Sequence, residues 1–309
     1  MNWFIKALSF KVMSVVPGGA SLYRYVQWNW TKSIVATKVR VGQKIDVGMS
    51  YINWLLANGF SLERIREMRH LDLGAGWHPS IPLLFYRMGM RNQVLADVAP
   101  LLSRSTFVDA LSLCEDILSD TSHEACQHFD GASYPQVLPS DEFADLTQKF
   151  SMTYHAPYFD WVSESSESVD LVTCTQVFMH LDREILESCF AMMFRVLKPG
   201  GIFMSPVHLF DIYSNSDSDI SIYNHLKYSS SFWNSVVNSE LMPFGRLKSP
   251  DFREALEKAG FEIITFDITR GSEEEKASLK DLPVHSEFSQ RYDLDVLSEK
   301  HLFFVARKP

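Results

Sequence analysis

One short segment constrains this chain more than any other: Leu71-Asp72-Leu73-Gly74-Ala75-Gly76, an apolar run that breaks into two glycines. Glycines at the exit of a strand adopt backbone conformations closed to other residues and let a ligand approach the main chain. Asp97 closes the next apolar run, at 93–97, roughly twenty residues on, where a carboxylate can grip both ribose hydroxyls of an adenosine. The residues between, 81–90, have helical spacing, with Ser80 as N-cap and Pro82 in the first turn. This order predicts an α/β unit whose Asp72, Gly74, Ala75, Gly76 and Asp97 face an adenosine cofactor. It does not say which one.

The rest of the chain extends the same architecture. Short apolar runs at 151–154, 169–173 and 202–207 alternate with helical stretches at 100–118, 141–150 and 183–197. That alternation predicts a doubly wound, mainly parallel sheet. After a helix at 251–259, runs at 261–268 and 301–306 flank a long polar stretch without a convincing helix, which suits an antiparallel terminal strand pair at one sheet edge. Residues 123–140 read as a loop-rich insertion. Residues 1–68 read as a helical N-terminal cap, with a turn at Pro17-Gly18-Gly19 and a stop at Gly59. Residues 69–309 read as the α/β domain, which carries a second insertion, 208–248, after the fifth strand.

Charge and cysteine usage narrow the partners. A formal net charge of -9 argues against nucleic acid, whose phosphates supply most of the affinity of their binders. Cys114, Cys126, Cys174 and Cys189 are scattered without C-x-x-C spacing, so no metal site is expected. Few unpatterned cysteines fit a reducing compartment, and a cytoplasmic location is expected. Lys6 and Lys11 interrupt the apolar start of the chain, so a helix capping the domain is preferred there to a membrane-surface helix.

The cofactor is discriminated further along. A dinucleotide fingerprint would need Gly or Ala at position 79, where this chain has Pro79. Beyond it stand Ser168-Val169-Asp170-Leu171-Val172, Val177-Phe178-Met179-His180-Leu181 and Arg195-Val196-Leu197-Lys198-Pro199-Gly200-Gly201. In this order and spacing, from about His70 to Val207, the chain resembles the class I (Rossmann-like) S-adenosylmethionine-dependent methyltransferases. The resemblance implies S-adenosyl-L-methionine as cofactor. It places Asp160, after the third strand, near adenine, and Thr175, after the fourth, at the ligand-collecting edge of the sheet. Two positions depart from the family pattern: His78 stands for a third glycine, and Met179 for the acidic residue before the later histidine.

The acceptor is expected to be a small molecule or glycan. Tyr213, Tyr223, Tyr228, Phe232, Trp233 and Phe244, interleaved with polar residues, suit the flat and hydroxylated faces of a sugar. Ser221-Ile222-Tyr223-Asn224-His225-Leu226-Lys227-Tyr228-Ser229 is weakly similar to bacterial methyltransferases of surface-polysaccharide synthesis. O-methylation of a sugar hydroxyl is therefore expected, with His180 or His208 as general base and Asp211 as an alternative. The competing readings are a nicotinamide-dependent oxidoreductase or epimerase, and a catalytically inactive methyltransferase-like interaction protein.

Overall fold

A computed structural model describes residues 2–29, 34–120, 122–131, 133–158 and 165–309. The chain forms two compact units. One comprises Ile34–Cys174, Arg195–Met204 and Lys308–Pro309; the other comprises Met1–Ser33, Thr175–Phe194 and Ser205–Arg307. The stretch 1–68, expected as one cap, divides between them after Ser33.

In the first unit, α3 (Lys38–Ala57) starts at Thr37, whose side chain caps Arg40 N–H, and ends at Asn58. There Gly59 takes a φ of 87°, a conformation open to glycine at little cost. α3 buries Val41, Ile45, Met49, Ile52 and Leu55 along one stripe, the spacing of a helix laid on a core. Gly48 allows the close approach to α5 (Ser80–Arg87), since a Cβ there would lie 2.8 Å from Leu84. The short α4 (Leu62–Glu67) leads into β1 (Arg69–Leu73). Then come β2 (Asn92–Ala96), α6 (Arg104–Leu118), α7 (Phe143–Lys149), β3 (Met152–His155) and β4 (Val169–Cys174). Every residue of β4 is buried, as expected of a strand covered on both faces.

The second unit holds α1 (Trp3–Val15) and α2 (Gly19–Asn29), joined through Gly18 at a φ of 78°. It also holds most of α8 (Arg183–Val196), α9 (Ser249–Ala259), β6 (Glu262–Arg270) and β7 (Glu299–Arg307). β5 (Leu197–His208) belongs partly to each unit. The seven strands form one sheet in the order β3-β2-β1-β4-β5-β7-β6. β3 to β5 pair in parallel and β6 with β7 antiparallel, the Rossmann-like arrangement expected.

Three local expectations are corrected. Ser80 is the first residue of α5 and not its cap; Pro79 holds that position and makes no side-chain bond. Pro199-Gly200-Gly201, which a helix at 183–197 and a strand at 202–207 would leave as the turn between them, does not separate helix from strand. It lies within β5, where the register to β4 shifts between Val169 and Leu171, and Gly200 at φ 76° absorbs the irregularity. The polar stretch before β7 contains three short helices, Glu273–Lys280, Ser286–Ser289 and Leu294–Leu297, each started by a side-chain cap from Ser272, His285 or Asp293. They bury Leu279, Phe288 and Leu297 with Tyr223 and Leu226, so sparse apolar anchors suffice where caps supply the ends.

Candidate active site

Parallel pairing aligns Leu73 with Ala96, so the carboxyl ends of β1 and β2 lie side by side. The N–H groups of Gly74 and Ala75 donate to the carbonyl of Ala96 at 2.8 and 3.1 Å. Gly76 N–H donates to Asp97 Oδ2 at 2.9 Å, and Asp97 Oδ1 accepts from Ala99 N–H at 3.2 Å. Gly74 and Gly76 take φ values of 80° and 65°. A Cβ at Gly76 would meet only Gly74 O, at 3.9 Å; this turn is a cradle open on its outer side, as an adenosine cofactor requires. An ionised carboxylate offers about four acceptor sites. Two of those on Asp97 are used, which leaves capacity for a ribose diol.

Asp97→Ala is therefore expected to weaken S-adenosylmethionine binding at least about tenfold, the loss of roughly 1.5–3 kcal/mol of charge-assisted bonding. Isothermal calorimetry checks this. A variant that melts and binds as wild type does would show that Asp97 holds no ribose.

Asp72 stands one residue before the end of β1 and is buried. Behind it runs a chain of buried polar groups that sequence reasoning missed. Gln93 Nε2 donates to Pro82 O at 2.9 Å, which turns Gln93 Oε1 towards His70 Nδ1, 3.1 Å away. His70 Nε2 lies 2.7 Å from Thr173 Oγ1, which is 3.3 Å from Asp72 Oδ1. Burial pushes the His70 pKa down to about 4, so the ring is neutral. With its single proton on Nδ1 facing Gln93, Nε2 must accept the Thr173 proton. Asp72 Oδ1 also faces the Thr173 hydroxyl as an acceptor, so it competes with His70 Nε2 for one proton, and protonation of Asp72 relieves that competition. Burial pushes the Asp72 pKa up to about 6, against the opposing charge of Lys44 on α3 and the Thr173 hydroxyl. Lys44 Nζ donates to His78 O at 3.1 Å. The His78 ring faces the carbonyls of Ile34 and Thr106 at 2.8 and 3.4 Å. The residue standing for a third glycine thus ties the turn to its neighbours.

The two candidate bases lie in the other unit and differ in what their nitrogens do. His180, in the turn Phe178–His180, donates from Nδ1 to Pro243 O at 2.6 Å. That bond leaves the lone pair on Nε2. Burial holds its pKa below the ordinary imidazole value, so the neutral form prevails at physiological pH. His208 ends β5 between Gln176 Nε2, 2.7 Å from its Nε2, and His301 Nδ1, 2.9 Å from its Nδ1. The amide of Gln176 donates to Nε2, so the lone pair of His208 is already taken. Burial, with His301 and His180 nearby, pushes its pKa down to about 4. Gln176 holds its position at a φ of 60°, a strained conformation for a residue with a Cβ. Asp211 accepts from Tyr213 N–H and Asn224 Nδ2 and is fully buried. Thr175, half-buried, follows β4 directly. Asp160 lies outside the described residues.

Residues 139–205 match the methyltransferase domain family. Over that stretch the chain is similar to methyltransferase domains. No curated protein matches the chain. Among solved structures it is similar to magnesium protoporphyrin IX methyltransferase from Synechocystis, at 12% identity over 94% of this chain and 99% of that one, with a TM-score of 0.47. It is also similar to an S-adenosylmethionine-dependent methyltransferase from Mesorhizobium loti, at 14% identity over 81% and 99%, with a TM-score of 0.41.

Two of the motifs that mark the methyltransferase domain have a structural role here. Lys198 of the Lys-Pro-Gly-Gly turn pairs with Asp170 of β4 at 2.8 Å, and Asp170 also accepts Arg69 N–H at 3.0 Å. Burial alone would raise the Asp170 pKa, but these bonds hold it below the ordinary value. Asp170 sits at the amino end of β4 and Lys198 at that of β5, away from the glycine turn. Among the described residues no group of three His, Cys, Asp or Glu could hold a metal. Cys174 and Cys189 are buried, and burial pushes the Cys189 thiol up to about 12.

The insertion 208–248 is not the open aromatic platform that its composition suggests. Tyr213, Tyr223, Trp233 and Phe244 are buried; Trp233 stacks on Trp3 of α1 with centroids 6.3 Å apart. Within this core, however, Tyr213 Oη, Asn224 Oδ1, both ring nitrogens of His225 and Trp233 Nε1 have no hydrogen-bond partner among the described residues. A pocket of about 330 Å³ in the same unit is lined by Ser230, Arg246, Glu287, Phe288, Arg291 and Tyr292. The guanidinium of Arg246 covers the Trp233 ring at 4.9 Å.

Proposed function

We propose that this methyltransferase places its methyl group on a hydroxyl of a sugar unit, held by the insertion 208–248. The observation that carries the reading is the set of five buried polar atoms on Tyr213, Asn224, His225 and Trp233 without a hydrogen-bond partner among the described residues. Buried polar groups are nearly always satisfied, and a ligand with several hydroxyls supplies donors and acceptors together. The pocket lined by Arg246, whose guanidinium covers Trp233, is of small-ligand size, within the roughly 300–1,000 Å³ of such sites.

S-adenosylmethionine, when bound, supplies a methyl group already activated on a sulfonium. The chain then has to position the acceptor and take one proton. Proximity accounts for much of the acceleration. Asp72, Gly74, Ala75, Gly76 and Asp97 hold the cofactor in this reading, joined by Thr175 and Asp160. His180 Nε2 receives the hydroxyl proton as the oxygen–methyl bond forms, while its Nδ1–H stays on Pro243 O. His208 is the weaker candidate, because Gln176 occupies its lone pair.

Labelled methyl transfer onto soluble sugars and sugar nucleotides, run beside amine and carboxylate acceptors, tests the acceptor class. A base-stable methyl ether on sugar is expected; a methyl ester or N-methyl product would remove the glycan reading. Tyr213→Phe removes one of the buried hydroxyls. It should raise the acceptor KM roughly threefold to tenfold, with cofactor affinity unchanged. If no acceptor bonds Tyr213 Oη, the variant instead gains stability, by losing an unsatisfied buried donor, and keeps its KM.

A further inference from the structure

α1 is apolar on two opposite faces. The first carries Trp3, Ala7 and Phe10, all buried. Trp3 packs on the rings of Tyr213 and Tyr228 with centroids 5.8 and 5.5 Å apart, and its backbone N–H donates to Asp217 Oδ2 at 2.6 Å. Phe10 meets Tyr23 of α2 edge-on at 5.0 Å. At about 3.6 residues per turn, Ile5, Leu8, Val12 and Val15 fall on the opposite face, where they are 63%, 46%, 52% and 74% exposed. Leu22 and Tyr25 of α2 are bare as well. A helix docked by one stripe ordinarily turns polar residues outward; this one turns aliphatic side chains.

The charge around that face is one-sided. Residues 2–29 contain Lys6, Lys11 and Arg24 and no Asp or Glu, in a chain whose net charge is -9. Lys6 Nζ is held by Ser216 Oγ at 2.9 Å, and Lys11 Nζ by the carbonyls of Asn234 and Asn238 at 3.0 and 2.8 Å. Neutral acceptors leave both positive charges in place. By helical geometry the two lysines flank the bare face, although in the linear sequence they interrupt the apolar run. That interruption is why the sequence alone favours a simple cap.

We propose that the α1–α2 surface docks on an anionic lipid bilayer. Ile5, Leu8, Val12 and Val15 enter the boundary between headgroups and acyl chains, and Lys6, Lys11 and Arg24 lie at the level of the lipid phosphates. A symmetric contact with a second copy fits less well, because the positive rim would then face itself. No helix among the described residues is long and apolar enough to cross a membrane, so the contact lies in the plane of the surface.

Co-sedimentation of the full chain with vesicles of phosphatidylcholine and phosphatidylglycerol, against phosphatidylcholine alone, tests the proposal. Binding to the anionic vesicles is expected, weakened by salt. It should fall at least about tenfold when Ile5, Val12 and Val15 are all changed to Ser, and severalfold in Arg24→Glu. Because these side chains are exposed, the melting temperature and the affinity for S-adenosylhomocysteine should not move. Wild-type protein that stays in the supernatant, or a triple variant that binds as wild type does, overturns the proposal. A wild-type dimer that the triple variant converts to monomer, with no vesicle binding, would give the face to a second copy instead.

Discussion

His180→Ala should slow methyl transfer by roughly a hundred- to ten-thousandfold, the usual worth of a positioned general base, with cofactor affinity unchanged. The expectation rests on the proton inventory of the ring. Nδ1 donates to Pro243 O, so Nε2 carries the lone pair, and burial lowers the pKa, so the lone pair stays available at physiological pH. The wild-type rate should then fall only as pH drops below the ordinary imidazole range. The glycine turn and Asp97 belong to the other unit, so cofactor binding should survive the change. His180→Asn separates chemistry from positioning, because its amide can still donate to Pro243 O but cannot serve as a base. Single-turnover rates at saturating cofactor should be equally low in both variants. A rate restored in His180→Asn would make His180 a positioning residue, and a normal rate in His180→Ala would exclude it as the base. His208→Ala should change the rate only a few fold, since Gln176 already uses its lone pair.

Asp72→Asn should move stability and binding in opposite directions. The folded-state pKa of Asp72 is raised to about 6 from an ordinary value of 3.8. Folding therefore favours the protonated form. The contribution of this group is fully present below about pH 4 and is lost as pH rises through about 6. A shift of this size corresponds to at most about 3 kcal/mol of strain at pH 8. The substituted amide mimics the protonated acid, because its N–H can donate to Thr173 Oγ1 and complete the chain to His70 and Gln93. Thermal melts should show a gain over wild type at pH 8 that vanishes near pH 4. Binding of S-adenosylmethionine, which carries both a sulfonium and an ammonium, should weaken about tenfold or more without the carboxylate. A variant less stable than wild type at pH 8 would refute the proton arrangement; unchanged binding would show that Asp72 acts on the turn alone.

These two predictions depended on the sequence to different degrees. Asp72 was legible as a candidate site residue because it sits in a short apolar run before two glycines. Its proton was not. That depends on His70, Thr173 and Gln93, which come from three strands and meet only because parallel pairing sets His70 between Gln93 and Leu171 and Asp72 beside Thr173. Likewise, the sequence named His180 and His208 with equal force, since both follow strands near the carboxyl edge. What distinguishes them is which ring nitrogen is occupied, and Pro243, Gln176 and His301 supply that from distant positions.

Local signals therefore determined the elements: glycine at positive φ, caps, helical spacing and short apolar runs each act over a few residues, and they led to the α/β architecture, the terminal strand pair and the glycine turn. They failed where local chemistry was ambiguous, as with the three short helices before β7 and the turn absorbed into β5. The aromatic insertion is the clearest division between the two levels. Composition alone promised aromatic faces for an acceptor, but composition does not say which side of a ring finds a partner. Tertiary packing turned Tyr213, Trp233 and Trp3 inward on one another. The same packing left buried polar atoms without partners among the described residues and the far side of α1 bare, because burial and pairing are properties of what the folded chain brings together, not of any residue by itself.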